Sequence, residues 1–320
     1  MKRLVTGFDV QGHRGARGRR PENTLAAFEY AIEVGVTTLE LDTGITADGV
    51  VIVCHDPLIN PLLCLDQHGR PVPDSPPLYL KDLTLREIQT FDCGSLNPDP
   101  VRFPEQQLVP GAIIPSLQQV FDLAEAKNPA IRYNIESKVN PLRSHETAGP
   151  IVFAETLVAL IESNHLVDRA TIQSFDWQVL RRVKQLNPAI GTVALVMHSP
   201  TATTLYAATG QSPFLAGNNY ADFEGDMAAL LRATGYIDAY SPNFETLLPE
   251  SSVFLQSIEA IQQAGFAVIP WTVNEQSMMQ RLINIGVDGL ITDFPDVLLQ
   301  LLQAQKLDGR ILENQTVDDA

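Results

Sequence analysis

The stretch TLELDTGITADGVVIVCHD, residues 38–56, decides how the chain is read. Two short runs rich in β-branched residues, 38–42 and 50–55, flank an Asp48-Gly49 pair, which is a tight-turn signal. Glu40 and Asp42 stand two residues apart in the first run, and side chains two apart in a strand point to one face. Two carboxylates aimed at one place repel each other unless a proton or a cation lies between them. If the two runs pair antiparallel, His55 returns beside Glu40.

Working outward, similar runs recur at 10–13, 132–136, 170–174, 192–196, 237–240, 266–272 and 288–292. Helical patterns separate most of them: a helix capped by Asn23 and ended by Gly35, then 116–127, 151–163, 177–186, 251–264 and 276–285. Alternation of this kind predicts a parallel sheet with crossover helices. The strand count is close to that of a (β/α)8 TIM barrel, whose usual size of about 250 residues leaves room for one insertion.

That insertion is 57–113, where ten prolines interrupt any regular pattern. We expect one barrel domain over 1–320, with 57–113 as a small cap, or lid, after the third strand, at the mouth where loops build active sites. Residues 199–225 suggest a lesser flap, and 308–320 a polar, mobile tail.

Composition narrows the function classes. Of 320 residues, 45% are hydrophobic, which excludes disorder. A net charge of -16 disfavours nucleic acid and anionic membrane surfaces as partners. No apolar run approaches the roughly 20 residues of an integral membrane segment. Cys54, Cys64 and Cys93 form no CxxC pair and read as packed thiols. With no secretory leader at the start, the expected compartment is the cytoplasm, although a chain trimmed of a leader would read the same.

Polar residues at the strand ends carry the chemistry. His13 ends the first strand, His55 and Asp56 the third, Glu136 and Lys138 the fourth. Glu136 adds a third carboxylate to Glu40 and Asp42, and an all-oxygen set suits one divalent cation, Mg²⁺ or Ca²⁺, better than zinc. Two histidines beside such an ion can serve as acid and base. The loop HRGARGRR, 13–20, is basic in an acidic chain. Arg14 is expected inward on a phosphate with Lys138, and the other arginines in solvent. Glu22 and Asn23 read as helix-start residues, and Phe175 and Trp271 either as core packing or as walls for a substrate. Together these residues point to phosphoester hydrolysis.

The blocks HRGARGRRPENTLAAFEYAIEVG (13–35), LELDTGITADGVVIVCHD (39–56), IPSL (114–117), NIESK (134–138), IQSFDW (172–177), PWTVN (270–274) and GVDGLITDFPD (286–296) resemble those of the glycerophosphodiester phosphodiesterases. These are metal-dependent TIM barrels related to phosphatidylinositol-specific phospholipases C. The resemblance implies His13 and His55 as the catalytic pair, Glu40, Asp42 and Glu136 as metal ligands, and Arg14 and Lys138 on the phosphate. It also implies hydrolysis of small glycerophosphodiesters to sn-glycerol 3-phosphate and an alcohol, with the insertion helping to recognise the glycerol end. Ser137 and Gly44 depart from the family's usual residues without touching a proposed ligand.

Two other readings share these residues. A lysophospholipase D or phosphoinositide-type activity would need an apolar groove, and no basic amphipathic helix supports it. A catalytically silent barrel acting as a binding protein sits poorly with five intact site residues. Oligomeric state, head-group preference, the roles of the two histidines and any cyclic intermediate stay open at this level.

Overall fold

In the computed structural model, which describes residues 7–207 and 211–307, side-chain alternation along the strands sorts the interior into two zones. The strands are β1 (Asp9–Gly12), β2 (Thr38–Ile45), β3 (Val51–Val53), β4 (Arg132–Ser137), β5 (Ala170–Ser174), β6 (Gly191–Val196), β7 (Ala239–Pro242), β8 (Ala267–Val268) and β9 (Gly289–Thr292). All but β3 pair parallel, in the order β8-β7-β6-β5-β4-β2-β1-β9. The two ends of that order meet through backbone bonds, Ile291 N to Pro270 O at 3.1 Å and Val273 N to Ile291 O at 3.0 Å. The result is a nearly closed barrel of eight parallel strands, the (β/α)8 TIM barrel expected from the sequence.

Leu39 and Leu41 on β2, with Tyr133 and Ile135 on β4, lie in the core built with Phe28, Phe121 and Phe153. These aromatics come from α1 (Leu25–Val34), α2 (Leu117–Lys127) and α3 (Pro150–Ser163). The intervening residues are polar and buried: Asp9, Gln11, Thr38, Glu40, Asp42, Asn134, Glu136 and Gln173. The barrel is therefore apolar between strand and helix and polar within, and its inner groups bond one another.

Four local readings change. The run at 50–55 is no barrel stave: β3 turns back antiparallel on β2, in the register Thr43↔Val53 and Ile45↔Val51. Thr24, not Asn23, caps α1, its hydroxyl accepting from Ala27 N at 3.2 Å. The helix expected at 251–264 is only Ile258–Gln263, because Leu255 N bonds Thr246 O and Gln256 reaches Asp226, leaving Ser257 as the cap. The helix Met227–Thr234, capped by Asp226, was not recognised in the sequence. The tail at 308–320 lies outside the described residues.

The stretch after β3 has a core of its own, in which Ile52, Ile59, Cys64, Val72, Leu80, Ile88, Cys93 and Ile114 pack together. Leu65 and Asp92 exchange two backbone bonds, 2.7 and 3.0 Å, and this pairing brings Cys64 against Cys93. The two form a disulfide, leaving Cys54 free, so the reading of three packed thiols is corrected and the argument from cysteines to a reducing compartment loses its premise. Closing a loop with a sequence separation of 29 is worth about 3–4 kcal/mol of chain entropy. Cys93→Ser should therefore accelerate amide exchange across 59–93 while leaving β2 and β4 protected; hydrogen exchange showing no local change would contradict this.

Candidate active site

The chain leaves β1 through a turn that requires glycine at positions 12 and 15. A Cβ on Gly12 would lie 2.1 Å from Gly15 O, and Gly15 itself has φ +86°. The turn holds Arg14 at φ 51°, which aims its peptide N–H at Glu40 Oε2, 2.9 Å away. The Arg14 guanidinium lies 3.1 Å from Asp42 Oδ2 through Nε and 2.7 Å from Glu22 Oε1 through a terminal nitrogen. Asn23, also left-handed at φ 56°, donates from Nδ2 to Asp42 Oδ2 at 2.9 Å. Glu22 and Asn23 thus belong to the site rather than to helix capping, an assignment that their place at a helix start concealed.

Parallel register does the rest. Asp42 on β2 stands beside Glu136 on β4, and Glu40 shares the face of Asp42. Ligand atoms from Glu40, Asp42 and Glu136 lie within 4.8 Å of one another, and all three residues are buried. Lys138 Nζ donates to Glu136 Oε1 at 2.8 Å and lies 3.6 Å from Asp42 Oδ1. Gln173 Nε2 donates to the remaining oxygen of Glu40 at 2.7 Å.

Burial, reinforced by Asp42 and Glu136, pushes the Glu40 carboxyl well above its ordinary range. Burial acts on Asp42 in the same sense, but Arg14, Lys138 and the histidines outweigh it and hold Asp42 well below. Burial also raises Glu136, with Lys138 opposing and Asp42 adding to it. Three acids against two cations leave Glu40 short of positive charge. A hard divalent cation fits such a donor set, since it would occupy the place that a proton otherwise takes.

The two histidines are oriented alike. His13 Nδ1 lies 2.6 Å from Asp293 Oδ1, and His55 Nδ1 lies 2.8 Å from Asp56 Oδ1. With each Nδ1–H donated to a carboxylate, Nε2 is the free ring nitrogen, and both histidines line the same pocket. Asp293 is fully buried and accepts from Asn274 Nδ2 at 2.7 Å. Although burial would raise its carboxyl, His13 and Arg17 hold it down to about 2. Burial lowers His13, outweighing Asp293. Asp293 carries no assignment from the sequence, although it directly follows the last strand inside the quoted block 286–296.

The remaining arginines are not in solvent. Arg17 meets Glu22 at 2.7 Å and stacks over Phe103; Arg19 pairs with Asp296 at 2.9 Å over Phe294; Arg20 lies over Tyr30. The pocket has a volume of about 460 Å³. His13, Arg14, His55 and Lys138 line one side, and Phe175, Met197, Phe244 and Trp271 another. Phe175 and Trp271 meet edge to face, with centroids 5.6 Å apart, and Trp271 Nε1 donates to Ser241 O at 2.9 Å.

Residues 13–297 match the family described as the glycerophosphoryl diester phosphodiesterases. The chain is 29% identical over 303 residues to a glycerophosphodiester phosphodiesterase of Caldanaerobacter subterraneus subsp. tengcongensis, covering 95% of this chain and 99% of that one. A crystal structure from Silicibacter pomeroyi DSS-3 superposes with a TM-score of 0.78 at 27% identity, covering 94% of each chain. An Oleispira antarctica phosphodiesterase, solved with its product sn-glycerol-3-phosphate, shares the fold at a TM-score of 0.64 and 20% identity, with 93% of this chain and 97% of that one covered.

The acidic cluster should bind Mg²⁺ or Ca²⁺ directly. Saturating cation, at about 100 times its dissociation constant, is expected to stabilise the fold by about 2.7 kcal/mol, read as a rise in Tm. Asp42→Asn should abolish most of that rise, and an equal rise in the variant would refute the assignment.

Proposed function

The chain belongs to the glycerophosphoryl diester phosphodiesterase family, and we propose that this phosphoric diester hydrolase works by two-histidine acid/base catalysis beside a divalent cation. One observation carries the reading: a buried three-carboxylate cluster and two carboxylate-oriented imidazoles line a single pocket.

Hydrolysis breaks the P–O bond to the departing alcohol and forms one to the oxygen of water. His13, which burial keeps neutral, suits the base that accepts the water proton at Nε2. His55, more exposed and oriented by Asp56, suits the acid that returns a proton to the alcohol oxygen. Arg14 and Lys138 hold positive charge at the rim of the acidic cluster, where a phosphate diester would lie. A divalent cation bound by Glu40, Asp42 and Glu136, Mg²⁺ or Ca²⁺, would polarise a phosphoryl oxygen. Asp293 and Asp56 fix the imidazole tautomers, as positioning residues.

Substrates would be small glycerophosphodiesters, giving sn-glycerol 3-phosphate, the product held by the Oleispira antarctica enzyme. Phe175 and Trp271 would wall the part of the substrate beyond the phosphate. The chain is read as one barrel domain with 57–113 as its cap, a view supported by the separate core of that segment. Among the described residues no helix is long and apolar enough to cross a membrane. The Cys64–Cys93 bond favours the periplasm or exterior over the cytoplasm expected from the sequence.

Purified protein should release glycerol 3-phosphate from glycerophosphocholine, and EDTA should stop it. His13→Ala and His55→Ala should each lower kcat by about 10²–10⁴ with the circular dichroism spectrum unchanged. Asp293→Asn should cost about 10–100-fold in kcat with little change in KM. Full activity in the double histidine variant, or product formation unaffected by EDTA, would overturn the mechanism.

A further inference from the structure

One acid in the pocket plays no part in this scheme. Glu245 lies in the short helical turn Phe244–Leu247 that follows β7 and lines the pocket together with Phe175, Met197, Phe244 and Trp271. In the ring of eight staves β7 is four places from β2 in either direction, so Glu245 stands across the mouth from Glu40 and Asp42. Its carboxylate accepts from Asn243 Nδ2 at 3.0 Å, and among the described residues no basic side chain pairs with it. The arginines that line the pocket are already engaged, Arg14 by Glu22 and Asp42, Arg17 by Glu22 and Arg102 by Asp293. The pocket is therefore polarised, with cations beside the acidic cluster on one wall and an unneutralised carboxylate among aromatic rings on the other.

We propose that Glu245, with Phe175 and Trp271, forms a subsite for a cationic head group, an ammonium or quaternary ammonium alcohol, on the phosphodiester. Aromatic faces next to a carboxylate attract such a cation electrostatically, and a quaternary ammonium need donate no hydrogen bond to be held there. A zwitterionic diester matches this charge distribution, its phosphate toward Arg14 and Lys138 and its cation toward Glu245. The inference rests on the hydrolase reading and adds the class of alcohol to it.

The test is Glu245→Gln, which keeps an acceptor for Asn243 while removing the charge. kcat/KM is measured for glycerophosphocholine and for glycerophosphoglycerol, whose head group is neutral. The ratio of the two should fall about tenfold in the variant. An unchanged ratio, as expected if Glu245 only hydrogen-bonds glycerol hydroxyls or only orients Asn243, would overturn the subsite. If the unaltered protein cleaves neither compound, the hydrolase reading fails instead, and the subsite is tested by tetramethylammonium binding: equal affinity in the protein and the variant would overturn it.

Discussion

Three carboxylates held within 4.8 Å of one another in a buried place are the constraint to which the rest of this barrel answers. Like charges in a low-dielectric setting repel by far more than a single hydrogen bond contributes, so each acid needs its own relief. Asp42 finds it in Arg14, Asn23 and Lys138, and Glu136 in Lys138. Glu40 has a peptide N–H and an amide, neither of which carries charge. That imbalance distinguishes Glu40 from its neighbours, and it is what a cation bound there would relieve.

The amide on Glu40 is the top of a longer arrangement. Gln173 accepts from Asn134, Asn134 also donates to Gln11, Gln11 donates to Asp9, and Asp9 accepts from Thr38. These side chains come from β1, β2, β4 and β5, and each amide has both ends satisfied. A barrel lumen filled with oriented amides holds its upper carboxylates more firmly than interchangeable aliphatic side chains would, because each bond depends on the register of two strands. An offset of β5 by one residue would turn Gln173 outward and strip Glu40 of its amide.

Much of this was legible in the chain. The period-2 pattern of β2 separated Leu39 and Leu41 from Glu40 and Asp42, and the strand ends supplied His13, His55, Glu136 and Lys138. What the sequence concealed depends on contacts remote along the chain or on unusual backbone. Asn23 looked like a cap because left-handed residues carry no periodic signature, and its amide instead crosses to Asp42. Asp293 meets His13 across 280 positions of chain. The arginines looked solvated because aromatic partners such as Phe103 and Phe294 are supplied by distant segments. The disulfide required a backbone pairing inside a proline-rich stretch that offered no strand pattern.

The cap is stitched to the loop that carries His13 and Arg14: Gln107 N bonds Arg19 O at 2.9 Å, and Gln106 Nε2 bonds Arg17 O at 2.7 Å. Its far tip at 73–77 is exposed. Inherited variation should therefore be tolerated unequally along the insertion. The exposed tip should accept substitutions freely, while changes in the return segment near 103–107 should be constrained by the arginine loop to which it is bonded.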